Sequence, residues 1–239
     1  MNKFVKTGIA AFALAFAVPS IAAEAAAEVE EEAEGPVGWT PFALSLASPV
    51  QLPWGIGNWD VFGIDLGVFY NDVWHMYGLD LALATTVRGD TRGLVASGFF
   101  NYADQDVYAI RLTCGANICR KTMRGADFGG FGYHREVCGI NAELVGTMQE
   151  NITGADFALI FNLTEVESYG FTAAGGVNLA KTAYGCQLAG VFNMTDELHG
   201  CQIGLVNFAR ECPWGFQVGL VNIIMDNKVK ALPFFNGYF

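Results

Sequence analysis

Four acids, Asp65, Asp80, Asp127 and Asp156, stand at one place in a recurring pattern, two residues after a glycine. Further along, Gln187, Gln202 and Gln217 take the same place. A column of carboxylates facing water would attract cations, which is the chemistry of a pore lining. The same column packed against amides would be hydrogen-bonded polar filler. Six cysteines make an even set, which an oxidising compartment could pair. Cys114 and Cys119 bracket a loop and could close a short disulfide. Cys186 and Cys201 share one repeat position. They would be neighbours in a stacked coil, but roughly 20 Å apart in a hairpin ladder. His75, His134 and His199 are not at metal-ligand spacing, and no clustered Cys/His set accompanies them. Arg88-Gly89-Asp90 suits a turn. No Ser/His/Asp set, phosphate loop or paired-carboxylate motif stands out. The chain therefore reads as non-enzymatic, with no catalytic, cofactor-binding or metal residues.

These residues are positioned by an internal repeat. Gly200-Cys-Gln-Ile-Gly-Leu-Val-Asn207 recurs as Gly215-Phe-Gln-Val-Gly-Leu-Val-Asn222, and the glycines at 170, 185, 200 and 215 are 15 residues apart. Weaker copies run upstream through Gly63, Gly78, Gly93, Gly125, Gly139 and Gly154, with Tyr108 in the glycine place of one copy. The frame loosens between Cys114 and Arg124. Within a unit, apolar residues alternate with small or polar ones: Ile64, Leu66 and Val68 against Gly63, Asp65 and Gly67. That is strand periodicity. Short polar pairs, among them Asn71-Asp72, Lys181-Thr182 and Asp196-Glu197, read as hairpin turns between strands.

Composition bounds the class. Apolar residues make up 52%, charged residues 15%, and there are 29 Gly. This excludes a disordered chain and speaks against a helical one. Net charge is −11, and from residue 36 onward 11 Lys and Arg face 18 Asp and Glu. With no basic stripe, nucleic acid is excluded as a partner. Residues 1–23 read as a signal peptide: Lys3 and Lys6, an apolar run from Ala10 to Val18, then small residues. Residues 24–40 read as an acidic Ala/Glu linker, and 41–239 as one β-repeat domain.

Two all-β architectures fit a 15-residue repeat. One is an up-and-down antiparallel meander closing into a barrel of about 12 strands, even in number as bacterial outer-membrane barrels are. The polar pairs, the aromatic or His residues that often precede the leading glycine (Tyr77, Tyr169, Tyr184, His199, Trp214) and the final Phe239 favour it. In that fold the acid column lines the lumen. The alternative is a β-solenoid with 15-residue coils, in which like residues stack into ladders.

The tandem Gly-x-Gln-x-Gly-Leu-Val-Asn units behind a signal peptide resemble the exported surface-repeat proteins of Gram-negative bacteria. So do Pro49-Val-Gln-Leu-Pro53 with Val61-Phe-Gly-Ile-Asp-Leu66 near the start, and Leu232-Pro-Phe-Phe-Asn236 at the end. The resemblance covers residues 41–239. It implies an exported protein of the outer membrane or cell surface. That family has no established activity, so no catalytic residue carries over. Membrane lipid is the expected partner for a barrel. A host or envelope protein is the expected partner for a surface solenoid.

Overall fold

The structure, a computed structural model, describes residues 35–47, 50–54 and 56–238. The proposed signal peptide, most of the linker, Pro49 and Phe239 lie outside the described residues. Residues 36–239 form one compact unit. Its first strand begins at Gly38, inside the stretch read as linker.

The chain winds as a β-solenoid of about eleven turns, not as a barrel. The strands are β1 (Gly38–Ala47), β2 (Val50–Leu52), β3 (Trp59–Gly67), β4 (Tyr70–Val73), β5 (Met76–Val87), β6 (Thr91–Ala103) and β7 (Val107–Thr113). They continue as β8 (Ala116–Ala158), β9 (Phe161–Ala174), β10 (Val177–Ala189), β11 (Phe192–Ile203), β12 (Val206–Ile224) and β13 (Ala231–Gly237). From β3 to β12 every pairing is parallel. Like sits on like: Asn178 on Asn193, Gly185 on Gly200, Cys186 on Cys201, Gln187 on Gln202. Only the two ends turn back. β2 lies antiparallel on β1, and β13 lies antiparallel on β12.

The antiparallel meander is thus corrected, and the backbone gives the reason. Tight two-residue hairpins need positive φ at their central residues. Among the described residues, positive φ falls instead on the leading glycines, with Phe234 the one non-glycine case. The polar pairs lie inside the parallel ladder: Ala180 pairs with Thr195 and Thr182 with Glu197 across two of them. The chain bends there without reversing.

The glycine column is a steric demand of the coil. At Gly200 φ is +143°, and a Cβ there would lie 1.9 Å from the Gly185 carbonyl oxygen one coil away. The register runs Gly93, Ala109, Gly125, so Ala109 rather than Tyr108 holds the glycine place. Parallel pairing also continues where the sequence frame loosens, at residues 116–119 and again from Met123.

Polarity is inverted around the coil. Polar side chains outnumber apolar ones among the buried residues. Most of the apolar interior lies in small clusters, such as Val107, Met123, Val137 and Ile152. Elsewhere the interior is mainly polar, with Ala43 and Val95 among the acids of their column, and the outside carries Leu, Ile, Val and Phe.

Candidate functional site

Two interior columns run along the solenoid axis. In the first, Asn162, Asn178, Asn193, Asn207 and Asn222 form an amide ladder. Each of the first four donates from Nδ2 to the next Oδ1, at 3.0, 3.0, 2.8 and 2.8 Å. The same Nδ2 atoms also donate to main-chain carbonyls, for example Asn193 to Ile203 at 2.9 Å. The second column holds the repeat acids and glutamines. Gln217 donates to Gln202 at 2.7 Å, and Gln202 to Gln187 at 2.9 Å.

The four expected acids do share this column, but they line no lumen. Asp65, Asp80, Asp127 and Asp156 are fully buried. Two of them bond across the coil to the opposite strand segment: Asp80 accepts from Asn71 at 2.6 Å, and Asp156 accepts from Thr147 and Gln149 at 2.7 and 2.6 Å. Asp127 is held by Arg111 within the column, and neither carboxyl oxygen of Asp65 has a hydrogen-bond partner. Burial raises Asp65 to about 7, burial and the neighbouring Asp65 raise Asp80 to about 8, and burial raises Asp156 to about 6.

Arg111 enters the same column between Val95 and Asp127, a position legible from the register but not from the glycine frame. It anchors a buried network absent from the sequence reading. Arg111 Nη2 lies 2.5 Å from Asp127 Oδ2, and His134 Nε2 lies 3.2 Å from the same oxygen. Burial works against the ionised Asp127, but Arg111 and His134 outweigh it and hold the carboxyl below its ordinary value. Burial keeps His134 below its ordinary value. Glu143, on the next coil, is raised to about 9 by burial and by Asp127. Ligand atoms of Asp127, His134 and Glu143 lie within 4.8 Å of one another. Arg111 already supplies the cation at Asp127, so the group reads as an internal ion network.

These shifts set a pH dependence. For Asp65, Asp80, Asp156 and Glu143 the folded state holds its proton well above the unfolded value near 4. Their contribution is fully present below about pH 4 and is lost as pH rises through 6 to 9. Asp127 works in the opposite sense at lower pH, and His134 does so up to its ordinary value of 6.5, where the four acids outnumber it. The melting temperature should therefore fall between pH 5 and pH 9 by roughly 5–10 °C, and Asp80→Asn should flatten that slope. Thermal melts followed by circular dichroism read both. A melting temperature that rises over this range would contradict the assignment.

The cysteines separate the two architectures. Cys186 and Cys201 pair directly across parallel strands, and the Cys201 thiol is pushed up to about 12 by burial and its neighbour. Cys114 is exposed and Cys119 is buried, and neither is bridged.

Outside, the coil divides in two. Ion pairs link successive coils along the bends, Arg88 with Asp72 at 2.8 Å, Arg120 with Asp104 at 3.3 Å and Arg210 with Asp196 at 3.2 Å, and a hydrogen bond joins His75 and Asp60 at 2.7 Å. Beside them runs a column of rings. Phe62 stacks on Tyr77 at 4.8 Å, and Tyr169, Tyr184 and His199 stack at 4.4 and 4.5 Å. Arg92 and Arg124 lie over Tyr108, each at 5.2 Å.

From the residue after each column glycine to the Asn-ladder position runs an arc without outward charge. Only six charged residues occur on it: Asp65, Asp80, Arg111, Asp127, Glu143 and Asp156. All six are turned into the interior. Outward stand residues such as Leu94, Ile110, Phe128, Leu144, Phe157 and Leu205, all exposed. Monomeric soluble proteins rarely show so large a contiguous apolar surface. Fold and face together define a parallel β-solenoid with a polar interior and an apolar outer arc. No protein-family model matches the chain, nor does any curated protein or solved structure.

Proposed function

We propose that this chain is a non-enzymatic interaction module, exported to the outer membrane or cell surface, that docks through its uncharged arc. The carrying observation is the sorting of charge: outward on the bends, inward everywhere on the arc. The resemblance to exported surface-repeat proteins supports the location. The polar column, closed by hydrogen bonds across the coil, speaks for a filled interior rather than a conducting one.

Detergent phase separation tests the docking face on the full chain. The protein should partition into the detergent phase of a clouding non-ionic detergent. The double variant Leu144→Glu, Leu159→Glu should move to the aqueous phase by at least tenfold, with its β circular-dichroism spectrum unchanged. An unsubstituted protein that stays in the aqueous phase would overturn the reading.

A further inference from the structure

The arc has two sides and an edge, and that shape selects its occupant. In several coils a break divides the arc into two strand segments, as at Gly190–Val191 and Gly204–Leu205, while β8 and β12 carry the chain through the same corner as continuous strand. The segments face each other across the interior: Gln202 donates to Thr195 Oγ1 at 3.3 Å, and Gln149 to Asp156. Their outward faces therefore point apart. In the C-terminal coils both are apolar: Leu188, Ile203 and Val218 stand exposed on one, and Leu179, Met194 and Phe208, half-buried and one residue past the Asn ladder, on the other. The edge between them carries the most exposed apolar side chains of the arc, Phe99 at 67%, Leu144 at 66%, Leu159 at 67% and Leu220 at 58%. A second copy pairing face to face would cover one side and leave the other side and the edge in water. A fluid apolar medium covers all three.

Resting on the docking reading above, we infer that the solenoid lies lengthwise in one leaflet of a lipid bilayer, with its apolar edge down and its charged bends at the surface. The dimensions agree. From Gly154 to Leu159 is five residues of strand, about 16 Å at 3.3 Å each. Half of a hydrocarbon core is about 15 Å. The column of Tyr, His, Trp and Arg lies between arc and bends, at the depth where such side chains sit in membranes. The backbone at the edge is bonded from coil to coil, as hydrocarbon requires: Ile160 N–H to Val145 at 3.0 Å, Val206 N–H to Val191 at 2.9 Å, Val221 N–H to Leu205 at 3.1 Å. The outward charges are mixed in sign, several of them in ion pairs, and form no basic face, so attachment needs no anionic lipid.

The test is flotation of the full-length protein with phosphatidylcholine vesicles, joined to depth-dependent quenching by brominated lipids. The protein should float with these neutral vesicles in 1 M salt and release no trapped dye. In Leu159→Trp the added emission should be quenched at least twofold by lipid brominated deep in the chain, while the native tryptophans near the bends, such as Trp74 and Trp214, are quenched less. Partition into detergent without flotation, accompanied by dimers in sedimentation, would overturn the lipid assignment and leave the docking face to a second copy. Failure in both detergent and vesicles would remove the docking face itself. Flotation only with anionic vesicles, or dye release, would overturn the one-leaflet placement.

Discussion

Gly200→Ala should cost about 3 kcal/mol or more in unfolding free energy. The backbone there lies at φ +143°, a region that L residues hold only under strain of about 1–3 kcal/mol. The methyl group would also fall 1.9 Å from the Gly185 carbonyl oxygen, an atom fixed in the neighbouring coil. No flexible side chain is there to move aside. Overpacking of a well-packed interior adds roughly 1–3 kcal/mol. In a solenoid each turn is held by its two neighbours, so the penalty falls on two coil interfaces and spreads along the array. Urea unfolding followed by circular dichroism measures it, with Gly35→Ala as control because nothing lies within 4 Å of that position. Equal midpoints for the two variants would refute the steric account.

Asn193→Leu should cost a similar amount, about 3–5 kcal/mol, while keeping the branched shape and the number of side-chain heavy atoms. Asn193 Nδ2 donates both to Asn207 Oδ1 at 2.8 Å and to Ile203 O at 2.9 Å, and its Oδ1 accepts from Asn178 at 3.0 Å. Leucine would leave two buried acceptors without this donor, at about 1–3 kcal/mol each, and would break the ladder at its centre. Leu188→Ala on the exposed arc is the contrast. It removes more apolar surface but leaves no polar group unpaired, so in water it should shift the urea midpoint far less. A neutral Asn193→Leu would show that the ladder adds order without stability.

Much of this was legible in the residues, and the failure was specific. The 15-residue step, the Gln and Asn columns and the aromatic column are all in the sequence, and the structure places each as a column. The direction of successive strands was not legible. Alternation with period two is the same in a meander and in a coil, and Asp196-Glu197 looks alike as a hairpin turn or an outward bend. The inversion of polarity misled as well. Apolar outside and polar inside is the rule for membrane barrels, and this solenoid obeys it without closing as one. Cys186 and Cys201 held the discriminating clue, since stacking makes neighbours of residues at one repeat position and the hairpin ladder separates them. Arg111, His134 and Glu143 escaped because one coil replaces its glycine by Ala109 and steps 16 residues to Gly125, which shifts the frame just where that network is built.

The two turned-back strands bear on growth. A stack of identical parallel coils offers the same bonding edge at each end and would extend without limit by adding further molecules. Here β13 runs against β12, with Pro233 in it and Asn236 seated on Gln217 at the end of the acid and glutamine column. At the opposite end β2 runs against β1. Neither end therefore offers the parallel coil edge that a further copy would continue, while everything between them is one unit repeated. Whole coils can therefore be gained or lost in the middle without touching either terminus. The number of repeats acts as a ruler that duplication or deletion of 45 base pairs can reset, lengthening or shortening the molecule by about 4.8 Å at each step.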